Sequence, residues 1–324
     1  MDNAQRAQLL ERGYVVIDDI VESQTLNKVR NELHAVVDKT ISAMHAEGKL
    51  PSAFKDAGFD YQLAKVAEHD TALAREVISR IHGDGGEGGH MGPGIFQLIT
   101  HETLMEHIED LVGPEIIGSS VYRIRPKAPG LERGAVPWHQ DSGYFLAHCD
   151  RTLVVTCWIP LVDATVENGC LYVMPNAHGD ILRHHTEGPG GYLIIEDEDL
   201  PTGKPIPLPM PTGSVLFMTN LTPHCSYLNH SDQVRWSVDL RYQDATVPNN
   251  VGGLPSEINW DDPNIQVACY PPEADFVLRS PQHPEREVRT WQQLHAIRQA
   301  YFEDRKQHSA QVIHRGRWTT RSSR

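Results

Sequence analysis

The chain has 324 residues, which is enough for one large domain or two ordinary ones. Hydrophobic residues make up 40% of it and charged residues 22%, a composition that supports a buried core and excludes a disordered or collagen-like chain. The formal net charge of −14 argues against a nucleic acid partner, because binding to phosphates needs a basic surface.

The first third of the chain is predicted to be helical after the apolar run at residues 14–17. In residues 23–44 apolar side chains recur at helical spacing. Two shorter helices are predicted over residues 71–81 and 102–112. The glycine-rich residues 83–94 between them lack the Gly-Lys-Ser/Thr ending of a phosphate-binding loop, so they are interpreted as a flexible loop.

From residue 115 onward the pattern changes to short β-rich runs separated by turn residues. The predicted strands cover residues 116–124, 153–159, 170–174, 192–195, 215–218 and 234–242. Because no helices intervene, an antiparallel sandwich or barrel is favoured over a doubly wound sheet. Residues 201–211, with five prolines, and residues 248–284 are predicted to be irregular.

A last helix is predicted over residues 287–303, with Trp291, Leu294, Ile297, Ala300 and Tyr301 facing inward. The basic tail at residues 315–324 is interpreted as a solvated end. The simplest organisation is one domain with a helical flank (1–114), a β-core (115–245) and a C-terminal extension (246–324).

The five cysteines form no C-x-x-C pair, which predicts reduced thiols; they are Cys149, Cys157, Cys170, Cys225 and Cys269. The N-terminus is polar, and no run of ~18 apolar residues occurs. We therefore expect a soluble, cytoplasmic protein that does not act on a membrane.

Five His-x-Asp triplets occur, and their positions among the predicted elements indicate which one is the candidate for metal binding. They are His82-Gly-Asp84, His139-Gln-Asp141, His148-Cys-Asp150, His178-Gly-Asp180 and His230-Ser-Asp232. Alternate residues of an extended segment project to the same side, so a triplet can aim an imidazole and a carboxylate at one point. His139 and Asp141 stand between two predicted strands where the β-rich half begins and are favoured, and His148 is the strongest competitor by position.

A second histidine from a later strand would complete the 2-His-1-carboxylate triad that binds Fe(II) and leaves open coordination positions. His224 follows the predicted strand at residues 215–218 and is the candidate, with a surface turn histidine as the alternative. Residues 234–242 then alternate, with Arg235 and Ser237 on the polar face. If that face lines the interior, Arg235 suits a dicarboxylate; if it faces solvent, it carries no such function.

The chain resembles the phytanoyl-CoA dioxygenase-like branch of Fe(II)/2-oxoglutarate oxygenases. The similarity runs through "GYVVIDDIVE", "VPWHQDSGYF", "WIPLVDATVENGCLYVMPNAHG", "GSVLFM" and "HCSYLNHSDQVRWSVDLRY". It implies a jelly-roll core (a double-stranded β-helix, cupin-like) with flanking helices. The family's "PGSH" turn appears here as Pro175-Asn-Ala-His178, a departure in a structural turn.

The resemblance implies that His139, Asp141 and His224 are the iron ligands and that Arg235 holds the far carboxylate of 2-oxoglutarate. Further cosubstrate contacts would come from Ser226, Ser237 and Trp158. The implied reaction uses O2, releases succinate and CO2, and hydroxylates an unactivated C–H bond of a small molecule. Related halogenases have a small residue in place of the carboxylate, so Asp141 favours hydroxylation.

Two other functions are consistent with the sequence. A cupin-like isomerase or metal-dependent binding module would not use 2-oxoglutarate and would not need Arg235 and Ser237 as a clamp. A catalytically silent jelly-roll interaction domain could keep the triad and use the basic tail as its contact surface. The absence of a basic run resembling a coenzyme A site favours a small, non-thioester substrate.

Overall fold

The computed structural model describes residues 1–82, 90–119, 122–145, 147–179, 186–187, 192–247, 249–251, 253–259 and 274–307. The helices α1 to α7 are Asn3–Arg12, Ser23–Ala46, Gly58–His69, Thr71–His82, Pro93–Ile99, Glu102–Val112 and Trp291–Gln307. The strands β1 to β13 are Tyr14–Ile17, Ile116–Ser119, Arg123–Lys127, Val136–His139, Val154–Pro160, Leu171–Val173, Thr186–Glu187, Leu193–Ile194, Ile206–Leu208, Val215–Thr219, His224–Ser226, Arg235–Asp244 and Asp275–Arg279.

Most strands belong to two antiparallel sheets that face each other. The larger sheet has the order β1-β10-β5-β12-β2-β13, with β3 also paired to β12, and the smaller has the order β4-β11-β6-β9. Trp158 and Leu216 of the larger sheet share one buried apolar cluster with Leu171 and Val173 of the smaller. The chain is therefore mainly β with flanking helices, which is the predicted fold class.

The helices cover the outer face of the larger sheet. Buried side chains of α2, including Val29 and Leu33, lie in the same core cluster as Trp236 and Val238 of β12. The ring of Phe59 on α3 stacks on Trp236, with centroids 4.5 Å apart and planes 22° apart. Since helices bury the apolar face of β12, its polar face must point between the two sheets.

We expect Trp236→Ala to lower the free energy of unfolding by about 3 to 5 kcal/mol, because it removes a fully buried ring and leaves a cavity under α3. Urea denaturation measures the change. Trp291→Ala, at a partly exposed helix position, is the matched control and should cost less than half as much. Equal effects at both positions would show that the contact between α3 and β12 does not carry this stability.

The three predicted N-terminal helices are confirmed as α2, α4 and α6, each ending within two residues of the prediction. α3 was not predicted, and neither was α5, which begins within the segment interpreted as a glycine loop. The last helix begins at Trp291 instead of residue 287. Ala300 is exposed, so its predicted inward position is wrong, whereas Leu294 and Tyr301 are buried.

The six predicted strands are confirmed, one of them divided in two, but β1, β4, β7, β9, β11 and β13 were not among the predicted strands. The strand expected over residues 116–124 is present as β2 and β3. The segment 201–211 is not wholly irregular, because β9 pairs with β6 at the edge of the smaller sheet, where Pro207 is tolerated. The segment 248–284 likewise contains β13, which pairs with β2.

Several predictions fall on residues outside the described ranges: the glycine-rich residues 83–89, Cys269 and the basic tail. Four cysteines in the described part are buried and form no disulfide: Cys149, Cys157, Cys170 and Cys225. Within the described ranges, no helix combines the length and the apolar character needed to span a bilayer.

Candidate active site

The two candidate histidines are brought side by side by strand pairing. β11 pairs with β4 in the smaller sheet, and His224 lies directly opposite His139 in the register. Their ring centroids are 4.2 Å apart, and both side chains are buried. Residues separated by 85 positions in the chain therefore point into the same space between the sheets.

Asp141 reaches the same point from just beyond the end of β4. The prediction placed it on an extended segment, but the strand ends at His139 and a 3-10 turn begins at Asp141. Gln140 between them is still extended, so Asp141 projects to the same side as His139. Asp141 Oδ1 lies 3.7 Å from His139 Nε2 and 4.0 Å from His224 Nε2.

Both imidazoles are oriented with Nε2 toward this point. His139 Nδ1 donates to the carbonyl of Pro137 at 2.9 Å, and His224 Nδ1 donates to the carbonyl of Thr222 at 2.9 Å. A proton held on Nδ1 leaves the lone pair of Nε2 free to bind a metal. Burial, followed by the neighbouring His224, lowers the pKa of His139, which favours the neutral ligand form.

Asp141 is held in place by partners on the larger sheet. Thr156 on β5 donates its hydroxyl to Asp141 Oδ2, and Arg241 on β12 binds both carboxylate oxygens, at 3.1 Å and 2.9 Å. Burial alone would raise the pKa of Asp141, but the charge of Arg241 and its hydrogen bonds hold that pKa well below its ordinary value. The carboxylate is therefore anionic and fixed in orientation.

The three donor atoms fit a transition metal that binds imidazole and carboxylate. One ligand atom from each residue lies within 4.8 Å of the others, and all three residues are buried. Two neutral imidazoles and one carboxylate make the facial set preferred by non-haem Fe(II). The sequence-based choice of these three residues thus corresponds to a geometry that can hold a metal.

Thr156→Val should weaken iron binding by roughly 10-fold, since it removes a hydrogen bond that orients the metal-binding carboxylate while keeping the side-chain shape. Competition for Fe(II) against a chelator measures the affinity. Thr152→Val is a control at a threonine whose hydroxyl donates to the carbonyl of Cys149, and it should leave the affinity unchanged. Unchanged iron affinity in Thr156→Val would mean that the hydroxyl does not support Asp141.

Arg235 lies in the cavity beside the metal-binding residues. Its side chain is 1% exposed, and its guanidinium sits over the Trp158 ring, 5.1 Å from the centroid. Ser226, Trp158 and Arg235 line the same cavity as both histidines. Burial, as the largest cause, lowers the pKa of Arg235 to about 10.

Buried donors in this cavity lack acceptors among the described residues. Arg235 donates to the Ser237 hydroxyl at 2.9 Å, but Arg235 Nε has no partner in the described part of the chain, and neither has Trp158 Nε1. Buried donors usually have a partner. A ligand with several acceptor oxygens, such as a dicarboxylate, fits this place.

The polar face of β12 does not face solvent, so that alternative interpretation is wrong. Arg235, Ser237, Asp239 and Arg241 are 1%, 0%, 5% and 6% exposed. Ser237 is not among the cavity-lining residues; it contacts Arg235 instead.

Sequence reasoning assigned no role to Thr156, Asp239 or Arg241. Asp239 and Arg241 could have been predicted from the alternation in β12, because it places both on the face that carries Arg235. Arg125 on β3 also belongs to the site, because it bonds Asp239 and lines the cavity. No local pattern marks Thr156, whose partner lies on the other sheet.

Three of the other His-x-Asp triplets have a described histidine that lies away from this site. His178 Nε2 lies 2.8 Å from the carbonyl of Leu10, in the turn that departs from the family pattern. His82 contacts the carbonyl of Ile124, and His230 is exposed. The side chain of His148 lies outside the described part.

Comparison with known proteins agrees with this geometry. The model of the phytanoyl-CoA dioxygenase (PhyH) family matches residues 9–237. Peroxisomal phytanoyl-CoA dioxygenase of Bos taurus is 25% identical over 248 residues, covering 74% of this chain and 68% of that protein. Phytanoyl-CoA dioxygenase domain-containing protein 1 of Danio rerio is 31% identical over 159 residues, covering 46% and 53%.

Among solved structures, the non-haem monooxygenase ThoJ in its apo form superposes with a TM-score of 0.54 at 15% identity. The match covers 94% of this chain and 97% of that one, and it supports the jelly-roll type of fold. Fold, donor set and relatives together define an Fe(II)- and 2-oxoglutarate-dependent oxygenase. The chain belongs to the phytanoyl-CoA dioxygenase family.

Proposed function

We propose that this protein hydroxylates an unactivated C–H bond of a small-molecule metabolite and converts 2-oxoglutarate to succinate and CO2. His139, Asp141 and His224 hold Fe(II) in this proposal, and Arg235 binds the distal carboxylate of 2-oxoglutarate. The observation that carries it is the convergence of three buried donors beside a buried arginine whose Nε has no described partner. Ser226 and Trp158 add donors at the cosubstrate's position, and Ser237 acts by holding Arg235.

The residues of this chain have separate tasks in the reaction. Bound iron and 2-oxoglutarate supply the oxidising chemistry, as cofactors do in general. Arg241 and Thr156 keep Asp141 ionised and aligned. The two sheets exclude water from the site, and Arg235 fixes the orientation of the cosubstrate relative to the histidines.

The charges around the cavity favour a neutral or anionic substrate over a cationic one. Arg241 is paired with Asp141 and Arg125 with Asp239, which leaves the charge of Arg235 uncompensated among these five residues. Fe²⁺ and the dianion of 2-oxoglutarate cancel each other, so at least the positive charge of Arg235 is left over. Like charges repel strongly in a site shielded from water, and an acid should stimulate succinate formation more than the matching amine.

A small non-thioester is proposed as the substrate, since the sequence shows no basic run suited to coenzyme A. The name of the Bos taurus relative refers to a coenzyme A thioester, but at 25% identity that substrate does not transfer to this chain. Phytanoyl-CoA is therefore the reference compound for a substrate screen, and turnover of it faster than of free acids would contradict this part of the proposal.

Visible spectroscopy tests the proposed function against the cupin-like and silent alternatives. The protein is mixed without oxygen with Fe(II) and then 2-oxoglutarate, and the charge-transfer band of the chelate is recorded. Admission of air should then yield succinate even without the metabolite. A protein that gives neither band nor succinate is not a 2-oxoglutarate oxygenase.

A further inference from the structure

Lys127, at the end of β3, is a buried lysine that the proposed mechanism does not use. It is 2% exposed and lies directly opposite Arg235 in the pairing of β3 with β12. Its stem lies against two glycines: a Cβ on Gly134 would meet Lys127 Cγ at 3.2 Å, and one on Gly169 would meet Cδ at 3.0 Å. The surrounding chain therefore leaves a slot for this side chain.

The amine of Lys127 holds the cavity-lining serine. Nζ donates to Ser226 Oγ at 2.7 Å and also to the carbonyl of Tyr227. When the Ser226 oxygen accepts from Lys127, its own hydroxyl proton is left to donate elsewhere. Ser226 lines the cavity beside Arg235, so that proton is available to a ligand bound there.

Lys127 forms no ion pair within the described part of the chain, and the buried carboxylate of Asp239 on β12 is bonded to Arg125. The largest electrostatic influences on the Lys127 amine come from Arg235 on β12, Arg125 on β3, Cys225 on β11 and Cys170 just before β6. Burial raises the pKa of both thiols, that of Cys225 to about 12, so they stay neutral. A buried ammonium beside two guanidinium groups is costly without a counter-ion.

We propose that Lys127 is a positioning residue for the cosubstrate: it orients the Ser226 hydroxyl toward the distal carboxylate of 2-oxoglutarate and adds a second positive charge beside Arg235. This inference rests on the proposed function. Bound 2-oxoglutarate supplies the counter-ion for the Lys127 ammonium. In the free protein the Lys127 amine is neutral, so no unpaired charge is buried. The alternative is a purely structural role, in which Lys127 only connects β3 to the end of β11 through its hydrogen bond to the Tyr227 carbonyl. Such a role would not require the amine to be charged.

Proton uptake follows from this arrangement. Burial first, then Arg235 and Arg125, lower the pKa of Lys127 to about 6 in the free protein. Binding of a dianion favours the ammonium, so above pH 6 each binding event takes up as much as one proton. The affinity for 2-oxoglutarate should therefore fall by up to about tenfold per pH unit as the pH rises above 6, until the pKa of the complex is reached.

Calorimetric titration of the anaerobic Fe(II)-loaded protein with 2-oxoglutarate, in buffers of different ionisation enthalpy, measures both affinity and proton uptake. The wild type should take up close to one proton at pH 7.5. Lys127→Gln keeps N–H donors for Ser226 and Tyr227 but cannot be charged, so it should bind about tenfold more weakly at pH 6.5, take up no proton and show a flat pH profile. Lys204→Gln, at an exposed loop position, is the control.

Ser226→Ala tests the serine without altering the lysine, and it should weaken binding by about five- to tenfold. The inference would be overturned if the wild type took up no proton. It would also be overturned if Lys127→Gln had the affinity and pH profile of the wild type, whatever the stability of that variant. Failure of the wild type to bind 2-oxoglutarate at all would instead reject the proposed function.

Discussion

Asp141→Ala is expected to lower iron affinity by at least ~100-fold and to abolish turnover. Loss of an outer hydrogen-bonding partner already costs a metal site about 10- to 100-fold, and this change removes a ligand itself. The substitution also leaves Arg241 buried without the carboxylate it now binds at 2.9 Å. Leaving a buried charge unpaired costs about 3 to 5 kcal/mol, so the melting temperature should fall as well.

Iron content after anaerobic loading and gel filtration, together with succinate formation, measures the effect of Asp141→Ala. Asp141→Asn separates the two consequences, because an amide keeps the shape of the side chain but binds iron weakly. Asp232→Ala is the matched control, since Asp232 belongs to another His-x-Asp triplet and is exposed. Normal iron content and turnover in Asp141→Ala would show that the carboxylate ligand has been misassigned.

Arg235→Leu is expected to weaken 2-oxoglutarate binding by about 100-fold or more while iron binding persists. Removing one partner of a buried charge pair costs roughly 2 to 5 kcal/mol, and Arg235 is almost completely buried in the cavity. The amplitude of the anaerobic charge-transfer band against 2-oxoglutarate concentration gives the affinity. The loss should appear in binding of the cosubstrate and not in retention of the metal.

A cosubstrate analogue makes the Arg235 experiment specific. 2-Oxobutyrate lacks the distal carboxylate, so the wild type should bind it far more weakly than 2-oxoglutarate, and Arg235→Leu should bind the two with similar affinity. Arg30→Leu is the control, because Arg30 also lies over an aromatic ring, that of Phe59, but on the helical side of the sheet. If Arg235→Leu still preferred 2-oxoglutarate strongly, the distal carboxylate would have to bind elsewhere.

The sequence predicted the larger part of the site because its key residues sit in local patterns. His139 and Asp141 are two positions apart, and extended geometry places them on one side. Arg235 stands in a strand whose alternation separates polar from apolar residues, and that separation persists although both faces are buried. Alternation therefore identifies the two faces of a strand, but it does not tell which face meets water.

Contacts between strands that are distant in the chain could not be predicted from the sequence. The pairing of β11 with β4 sets His224 opposite His139, and nothing local to His224 specifies that register. The hydrogen bond from Thr156 and the position of Lys127 beside Arg235 likewise depend on how the sheets assemble. β9 was missed because proline is a poor strand former except at an edge, and an edge cannot be recognised before the sheet is known.

Anomalous diffraction at the iron edge, from crystals grown without oxygen in Fe(II) and 2-oxoglutarate, tests the central proposal most directly. We expect one buried iron peak with His139 Nε2, His224 Nε2 and an Asp141 oxygen each about 2.0 to 2.2 Å away, and a 2-oxoglutarate molecule whose distal carboxylate contacts Arg235. An iron peak elsewhere, or one not bound by His224, would contradict it.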